Sequence, residues 1–290
     1  MTIQKSIFPA RNLFSGREIW IATQHQKEQV IGPLLKEHLL LDWRVPADFD
    51  TDRFGSFSGE VQREGNALDA ARKKCISLLN QFGGDLVLAS EGSFGPDPIT
   101  GFGGLDDEVV LLYDRKNQRE YVGRMLSNYT NFGSLQVESE ASMMDFLKRV
   151  KFPSHGVIVR RFANDNEEYL KGIKNPILLH QLYQLYQKKF GQFYIETDMR
   201  ALHNPTRMEV IQQATRNLID RLQTICPQCE TPGFSIQKRN QGLPCQLCGS
   251  PTAGTLSHTY CCSNCKHELI EKYPGKQKFA SPQFCDHCNP

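Results

Sequence analysis

The chain lacks any uninterrupted apolar run near the ~18 residues that cross a bilayer, which argues against a helical membrane span. It lacks an excess of either charge. Its 34 Lys and Arg stand against 32 Asp and Glu, for a net charge of +2, unlike a strongly basic nucleic-acid binder or an acidic tail. It lacks low-complexity segments, so no part reads as a flexible spacer. Its opening, MTIQKSIFPARNLFSGREIW, lacks the continuous apolar stretch of a secretory signal, and a cytoplasmic protein with reduced thiols is expected. Cysteine is almost absent before residue 226, where Cys75 stands alone and reads as a small buried hydrophobe. What remains is an ordinary globular composition, with 39% hydrophobic and 23% charged residues in 290, a length that suits about two domains.

From residue 226 onward the cysteines change character. Cys226/Cys229, Cys245/Cys248, Cys262/Cys265 and Cys285/Cys288 are Cys-x-x-Cys pairs. Two thiolates at that spacing form one knuckle, which is half of a tetrahedral zinc site, so the pairs predict two structural zinc ions. The other use of such cysteines, a disulfide framework, needs an oxidising compartment to which nothing in the sequence points. Consecutive ribbons are favoured, the first knuckle with the second and the third with the fourth. A cross-braced arrangement, first with third and second with fourth, is the alternative that spacing leaves open. His258, His267 and His287 are surplus to eight cysteine ligands. The six Lys or Arg against four Asp or Glu after Thr224 leave room for a nucleic-acid or protein partner at this module.

Ahead of the knuckles, strand and helix patterns alternate. Glu18–Thr23, Leu41–Val45, Asp85–Ala89, Gly156–Arg161 and Gln192–Thr197 read as strands, and Val109–Tyr113 with Glu120–Gly123 as a hairpin. Lys27–Leu39, Asn66–Phe82, Ser139–Val150, a largely helical Glu167–Phe190 broken at Asn175-Pro176, and a last helix opened by Asn204-Pro205 carry helical periodicity. The order predicts an α/β fold, a mixed sheet flanked by helices over residues 1–223, with a small double zinc-ribbon module over 224–290.

In such folds chemistry sits in loops beyond the carboxyl ends of strands. Thr23, His25 and Lys27 lie at alternate positions before a helix, where free amides and the helix dipole favour an anion, unless they are only a polar helix start. Asp50, Asp52 and Glu60 can gather a hard cation such as Mg²⁺, or can be plain turn residues. Ser90-Glu91-Gly92-Ser93 follows a buried strand, which suits Glu91 to metal binding or general-base work, unless it is an exposed turn glutamate. Arg200 and Arg207, with Glu196 and Asp198, can bind a phosphate or pair among themselves.

Taken together, ATQHQKE, DTDRFGSFSGE, ASEGSFGPDP, ETDMRALHNPTRM and the terminal CDHCNP resemble an uncharacterised bacterial family defined only as a domain of unknown function. A second likeness spans about residues 18–123. Ala22-Thr23-x-His25-x-Lys27 is similar to the Thr-x-Asn-x-x-Lys opening of the inosine-triphosphate pyrophosphatase-like house-cleaning nucleotidases, with the lysine one residue closer. Asn66-Ala67 with Arg72 and Lys74 resembles their Glu-Asn-Ala-x-x-Lys-Ala helix, and Leu88–Gly92 stands where they have Asp-Asp-Ser-Gly. That resemblance implies a phosphorylated small molecule as substrate, Lys27 on its phosphates, and Glu60 and Glu91 as metal or base carboxylates beside Mg²⁺. Thr23, His25, Ser90, Ser93, Arg200 and Arg207 complete the expected substrate site. His25 in place of Asn, and Glu91 in place of paired aspartates, are its departures from that family.

Overall fold

The structure is a computed structural model that describes residues 5–54, 65–97, 101, 103–165 and 167–290. The chain divides into two compact units, Ser15–Ile219 and a second made of the residues up to Phe14 together with Asp220–Pro290.

The larger unit holds two sheets. In the first, β1 (Glu18–Ala22) lies between β2 (Asp42–Arg44) and β3 (Leu86–Pro96), parallel to both. β4 (Gly104–Asp114) and β5 (Arg119–Ser127) continue it antiparallel, giving the order β2-β1-β3-β4-β5. Helix α2 (Glu28–Leu39) connects β1 to β2. Helix α3 (Ala67–Phe82) precedes β3 and is opened by Asn66, whose side chain accepts the Asp69 N–H. Ala71, Cys75, Leu78 and Leu79 of α3 pack on Val87, Ala89 and Leu111. The mixed sheet flanked by helices is the α/β architecture expected from the sequence.

The second sheet, order β6-β9-β7-β8, is antiparallel throughout: β6 (Ser134–Val137), β7 (Val157–Arg160), β8 (Tyr169–Ile173) and β9 (Phe193–Thr197). Its core joins Val137, Val157, Val159, Phe193 and Ile195 to Met143, Phe146 and Leu147 of α4 (Glu140–Arg149), and to Leu179, Leu182 and Tyr186 of α5 (Pro176–Phe190). Two expectations change here. Tyr169–Ile173 is a strand, because it pairs with β7 and Gly172 stands at φ +76°, outside helical geometry. Ser90–Ser93, expected in a loop beyond a strand, lies within β3, because β4 pairs with that strand all the way to Pro96.

Helix α6 (Pro205–Gln223) begins at Asn204, whose carboxamide oxygen accepts the Arg207 N–H. It runs close over β5 at Gly123, where a Cβ would strike the Ala214 carbonyl oxygen and the Leu218 amide, so only glycine allows the approach.

The smaller unit contains α1 (Phe8–Phe14) and a three-stranded antiparallel sheet of β10 (Ser235–Gln241), β11 (Thr255–Cys261) and β12 (Glu268–Lys272). Its small core is Cys226, Phe234 and Cys262, flanked by Tyr260 and Leu269. Among the described residues no helix is long and apolar enough to cross a membrane.

Candidate functional site

Among the described residues two constellations gather reactive side chains, one in each unit. In the smaller unit the eight Cys-x-x-Cys cysteines gather into two tetrads. Cys226, Cys229, Cys262 and Cys265 form one; Cys245, Cys248, Cys285 and Cys288 form the other. The knuckles are therefore cross-braced, and the consecutive pairing favoured by the sequence is corrected. The reason lies in the sheet. β10 and β11 run antiparallel with Ser235 opposite Cys261, so the knuckles just before β10 and just after β11 meet at one end. The knuckle in the β10–β11 connection is left at the other end, where Cys245 bridges to Ala280 and meets the C-terminal knuckle.

The sulfur geometry fits a tetrahedral ion. Cys226 to Cys265, Cys229 to Cys262 and Cys248 to Cys285 are each 3.6 Å between sulfurs, and Cys245 to Cys288 is 3.9 Å. Zinc–thiolate bonds of about 2.3 Å at tetrahedral angles require roughly 3.8 Å. The Cys265 and Leu247 amides donate to Cys262 and Cys245 Sγ at 3.5 and 3.4 Å, which orients two of the sulfurs. Both tetrads can therefore hold a zinc ion. Cys261 stays outside them, its thiol directed at the Cys262 carbonyl oxygen.

In the larger unit a buried ionic cluster lies where β1 ends and β3 runs on. β1 pairs with β3 only as far as Ala22 opposite Ala89. Lys27, from the turn before α2, takes the next place on that edge. Its ammonium donates to the Ser90 carbonyl oxygen at 3.2 Å and to Ser90 Oγ at 3.1 Å. Lys27, Lys74 and Arg207 are at most 5% exposed, as are Glu91, Asp106 and Glu108.

Strand alternation divides these groups between the sheet faces. Glu91 shares a face with Ala89 and Leu111, the face under α3, and there it forms an ion pair with Lys74. The β3–β4 register puts Gly92 opposite Glu108 and Phe94 opposite Asp106, so these carboxylates point to the other face. Arg207 comes down on that face from the first turn of α6. Its Nε donates to Glu108 Oε1 at 2.6 Å, its Nη1 to the Met199 carbonyl oxygen at 2.5 Å, and its guanidinium carbon lies 5.1 Å from the Phe94 ring centroid. Gly92 makes room for this pair, since a Cβ there would fall on Glu108 Oε1 and 2.8 Å from Arg207 Nη2.

The electrostatics follow from burial and mutual proximity. Burial first, then the Arg207 charge, lowers the Lys27 ammonium to about 8, while Glu108 and Glu91 oppose the shift. Burial first, then Glu108, raises the Asp106 carboxyl to about 8, against Arg207 and Lys27. Both Asp106 oxygens and Glu108 Oε2 are buried without a hydrogen-bond partner among the described residues.

The expected site residues separate in three dimensions. Lys27, Ser90, Glu91 and Arg207 come together in the cluster. Thr23 is buried beside it in the chain, its Oγ1 accepting the His25 N–H at 3.4 Å. Ser93 is half-buried on the Glu91 face. Arg200 pairs with fully buried Asp198, its Nη2 to Oδ2 distance being 2.6 Å, and the carboxylate also accepts the Gly172 N–H. His203 stands next to that pair; burial lowers its pKa, with Arg200, Lys174 and His25 adding to the shift against Asp198, so His25 lies in the neighbourhood of this group. Glu60 and the side chain of Asp52 lie outside the described residues. Among the described residues only the cysteine tetrads bring three or more ligand atoms within 4.8 Å of one another.

Asp106 and Glu108 stand outside the residues that the sequence motifs single out. Their signal is present, two carboxylates at alternate positions leading into the apolar run Val109–Leu112, which places both on one face of a strand that is about to be buried.

The family model described as a domain of unknown function (DUF6671) matches residues 74–290, from Lys74 through both tetrads. No curated protein matches the chain. The chain belongs to the DUF6671 family.

Proposed function

We propose that this member of the DUF6671 family is a Mg²⁺-dependent phosphohydrolase or nucleotide-binding protein. Its chemistry lies in residues 1–223, and two structural zinc ions lie in residues 224–290. The reading rests on one observation above all. Lys27, Lys74, Arg207, Glu91, Asp106 and Glu108 are buried together at the carboxyl end of a parallel strand. Buried charges are costly even when paired, so evolution rarely keeps such an array for stability alone. In α/β folds this edge is the usual ligand crevice.

Lys27 and Arg207 supply positive charge for a phosphate, with Ser90 beside Lys27, while Arg200 stays with Asp198 and Ser93 keeps to the Glu91 face. Mg²⁺ would neutralise developing charge on the phosphoryl oxygens. Water is the nucleophile and a carboxylate takes its proton, with Glu91 and Glu60 the carboxylates the sequence offers; Glu91 serves only if the substrate reaches the α3 face on which Lys74 holds it. Zinc in all-cysteine tetrads is closed to substrate and serves folding.

A second reading has its own support. The zinc module exposes Leu247, Ile270, Phe279 and Phe284, a set of apolar side chains suited to a protein or RNA partner in a non-enzymatic role. A screen of nucleoside triphosphates, nucleoside diphosphates and other phosphoesters with Mg²⁺ or Mn²⁺ separates the two. Released phosphate or pyrophosphate that falls at least ~10²-fold in Lys27→Ala supports the enzyme, that being the scale of losing a charge-stabilising group. No turnover on any phosphoester, or full turnover in Lys27→Ala, rules it out.

A further inference from the structure

We infer that Asp106 and Glu108 are the protein's ligands for a hard divalent cation of the Mg²⁺ class, which enters together with a phosphate group. The site deepens the phosphohydrolase reading and rests on it for the nature of the anion.

Both carboxylates are fully buried, and they stand two residues apart on one face of β4. Glu108 spends only Oε1 on Arg207. Its Oε2 and both oxygens of Asp106 have no hydrogen-bond donor among the described residues. A buried carboxylate oxygen without a donor is rare, and a cation is one of the few partners that satisfies several at once. Two neighbours shape the surroundings: Gly92 opposite Glu108 leaves the room that Glu108 Oε1 and Arg207 Nη2 occupy, and Phe94 opposite Asp106 packs against the Arg207 guanidinium.

Among the described residues no third His, Cys, Asp or Glu converges on the pair. Two protein carboxylates suit Mg²⁺, which keeps waters and completes its octahedron with substrate phosphate oxygens, better than Ca²⁺, which takes six to eight oxygens. Charge points the same way. With all six groups ionised, the state a cation at the pair requires, Lys27, Lys74 and Arg207 balance Glu91, Asp106 and Glu108. A bare dication would leave it two charges in excess. A dication carried in with a phosphate restores the balance, and Lys27 and Arg207 on the same side of the sheet are the groups to meet that anion.

The test uses the zinc-loaded full chain and Mn²⁺ as the probe, read by electron paramagnetic resonance with and without pyrophosphate. Wild type should bind one Mn²⁺ beyond its zinc, at least ~10-fold more tightly with pyrophosphate present, and Mg²⁺ should displace it. Asp106→Asn and Asp106→Ser should each weaken that binding at least ~10-fold while zinc content stays unchanged. Two substitutions guard against one that misfolds, and the wild-type titration stands without either. Absence of Mn²⁺ binding to wild type under both conditions overturns the inference and assigns the pair a shared proton instead. So does wild-type affinity in both Asp106 variants. Mn²⁺ bound through Asp106 with no phosphoester turned over sinks the phosphohydrolase reading alone. Turnover that keeps its Mg²⁺ dependence in Asp106→Asn sinks this inference alone.

Discussion

Double substitutions across the cysteine tetrads test the cross-braced pairing through zinc stoichiometry. Cys226 and Cys265 lie 3.6 Å apart between sulfurs and belong to one tetrad, whereas Cys248 belongs to the other. Wild type should carry about two zinc ions, and Cys226→Ser about one, since a tetrahedral site needs all its ligands. Adding Cys265→Ser should cost nothing further, because that site is already lost. Adding Cys248→Ser instead should leave about none. Consecutive ribbons demand the reverse: about none for Cys226/Cys265, which would then sit in different sites, and about one for Cys226/Cys248. The energetic consequences should also be unequal. A structural zinc contributes about 10–16 kcal/mol of apparent binding energy, more than most domains have in total stability, so either loss is severe where the site is the core. Cys226 and Cys262 are that core, packed on Phe234. Losing the first tetrad should dissolve the β10–β12 sheet. Losing the second should free the segment from Gly275 to Pro290 and spare the sheet, as limited proteolysis would show. Zinc measured on protein purified under reducing conditions without chelator decides the matter. Retention of one zinc by Cys226/Cys248, with none in Cys226/Cys265, would refute the pairing.

Three further outcomes follow from the buried cluster. Glu91→Gln strips the partner from Lys74, both side chains being nearly inaccessible, and should lower stability by roughly 3–5 kcal/mol, the cost of an orphaned buried charge. An unchanged melting temperature would mean that pair is not formed, and turnover at wild-type level would remove Glu91 from the mechanism. Gly92→Ala should cost about 1–3 kcal/mol by crowding the Glu108–Arg207 pair, while Gly95→Ala, where a Cβ meets nothing within 4 Å, serves as the control in the same thermal melts. Lys27 titrates near 8 in the fold against 10.5 ordinarily, so between those values the unfolded chain binds more protons and stability should rise with pH. The limiting slope is about 1.4 kcal/mol per pH unit, Lys27→Met should abolish it in urea unfolding at pH 8 and 10, and equal slopes for both proteins would contradict the shift.

Local chemistry made several features legible without coordinates. The knuckles announced metal tetrads, because two thiolates three residues apart suit one ion wherever the chain goes next. Asn66, Ser139 and Asn204 announced helix starts, and each side chain accepts a backbone N–H of the turn that follows. The runs EIWIA and LVLA announced buried strands. Closure over long distances was decided only in three dimensions. Which knuckles share an ion depends on the antiparallel pairing of β10 with β11, and the number of residues between knuckles carries no trace of it. The Glu167–Phe190 stretch was helical by pattern, yet β7 recruited Tyr169–Ile173 as a strand, since ladder hydrogen bonds outweigh weak helix propensity. Glu108 meets Arg207 across 99 positions, and Lys27 meets Ser90 across 63. A carboxylate in a strand looks the same in sequence whether it faces water or another buried charge. The register of β3 against β4 and the descent of α6 brought Asp106 and Glu108 to Arg207, and the burial that raises the Asp106 carboxyl belongs to the whole fold and to no single segment.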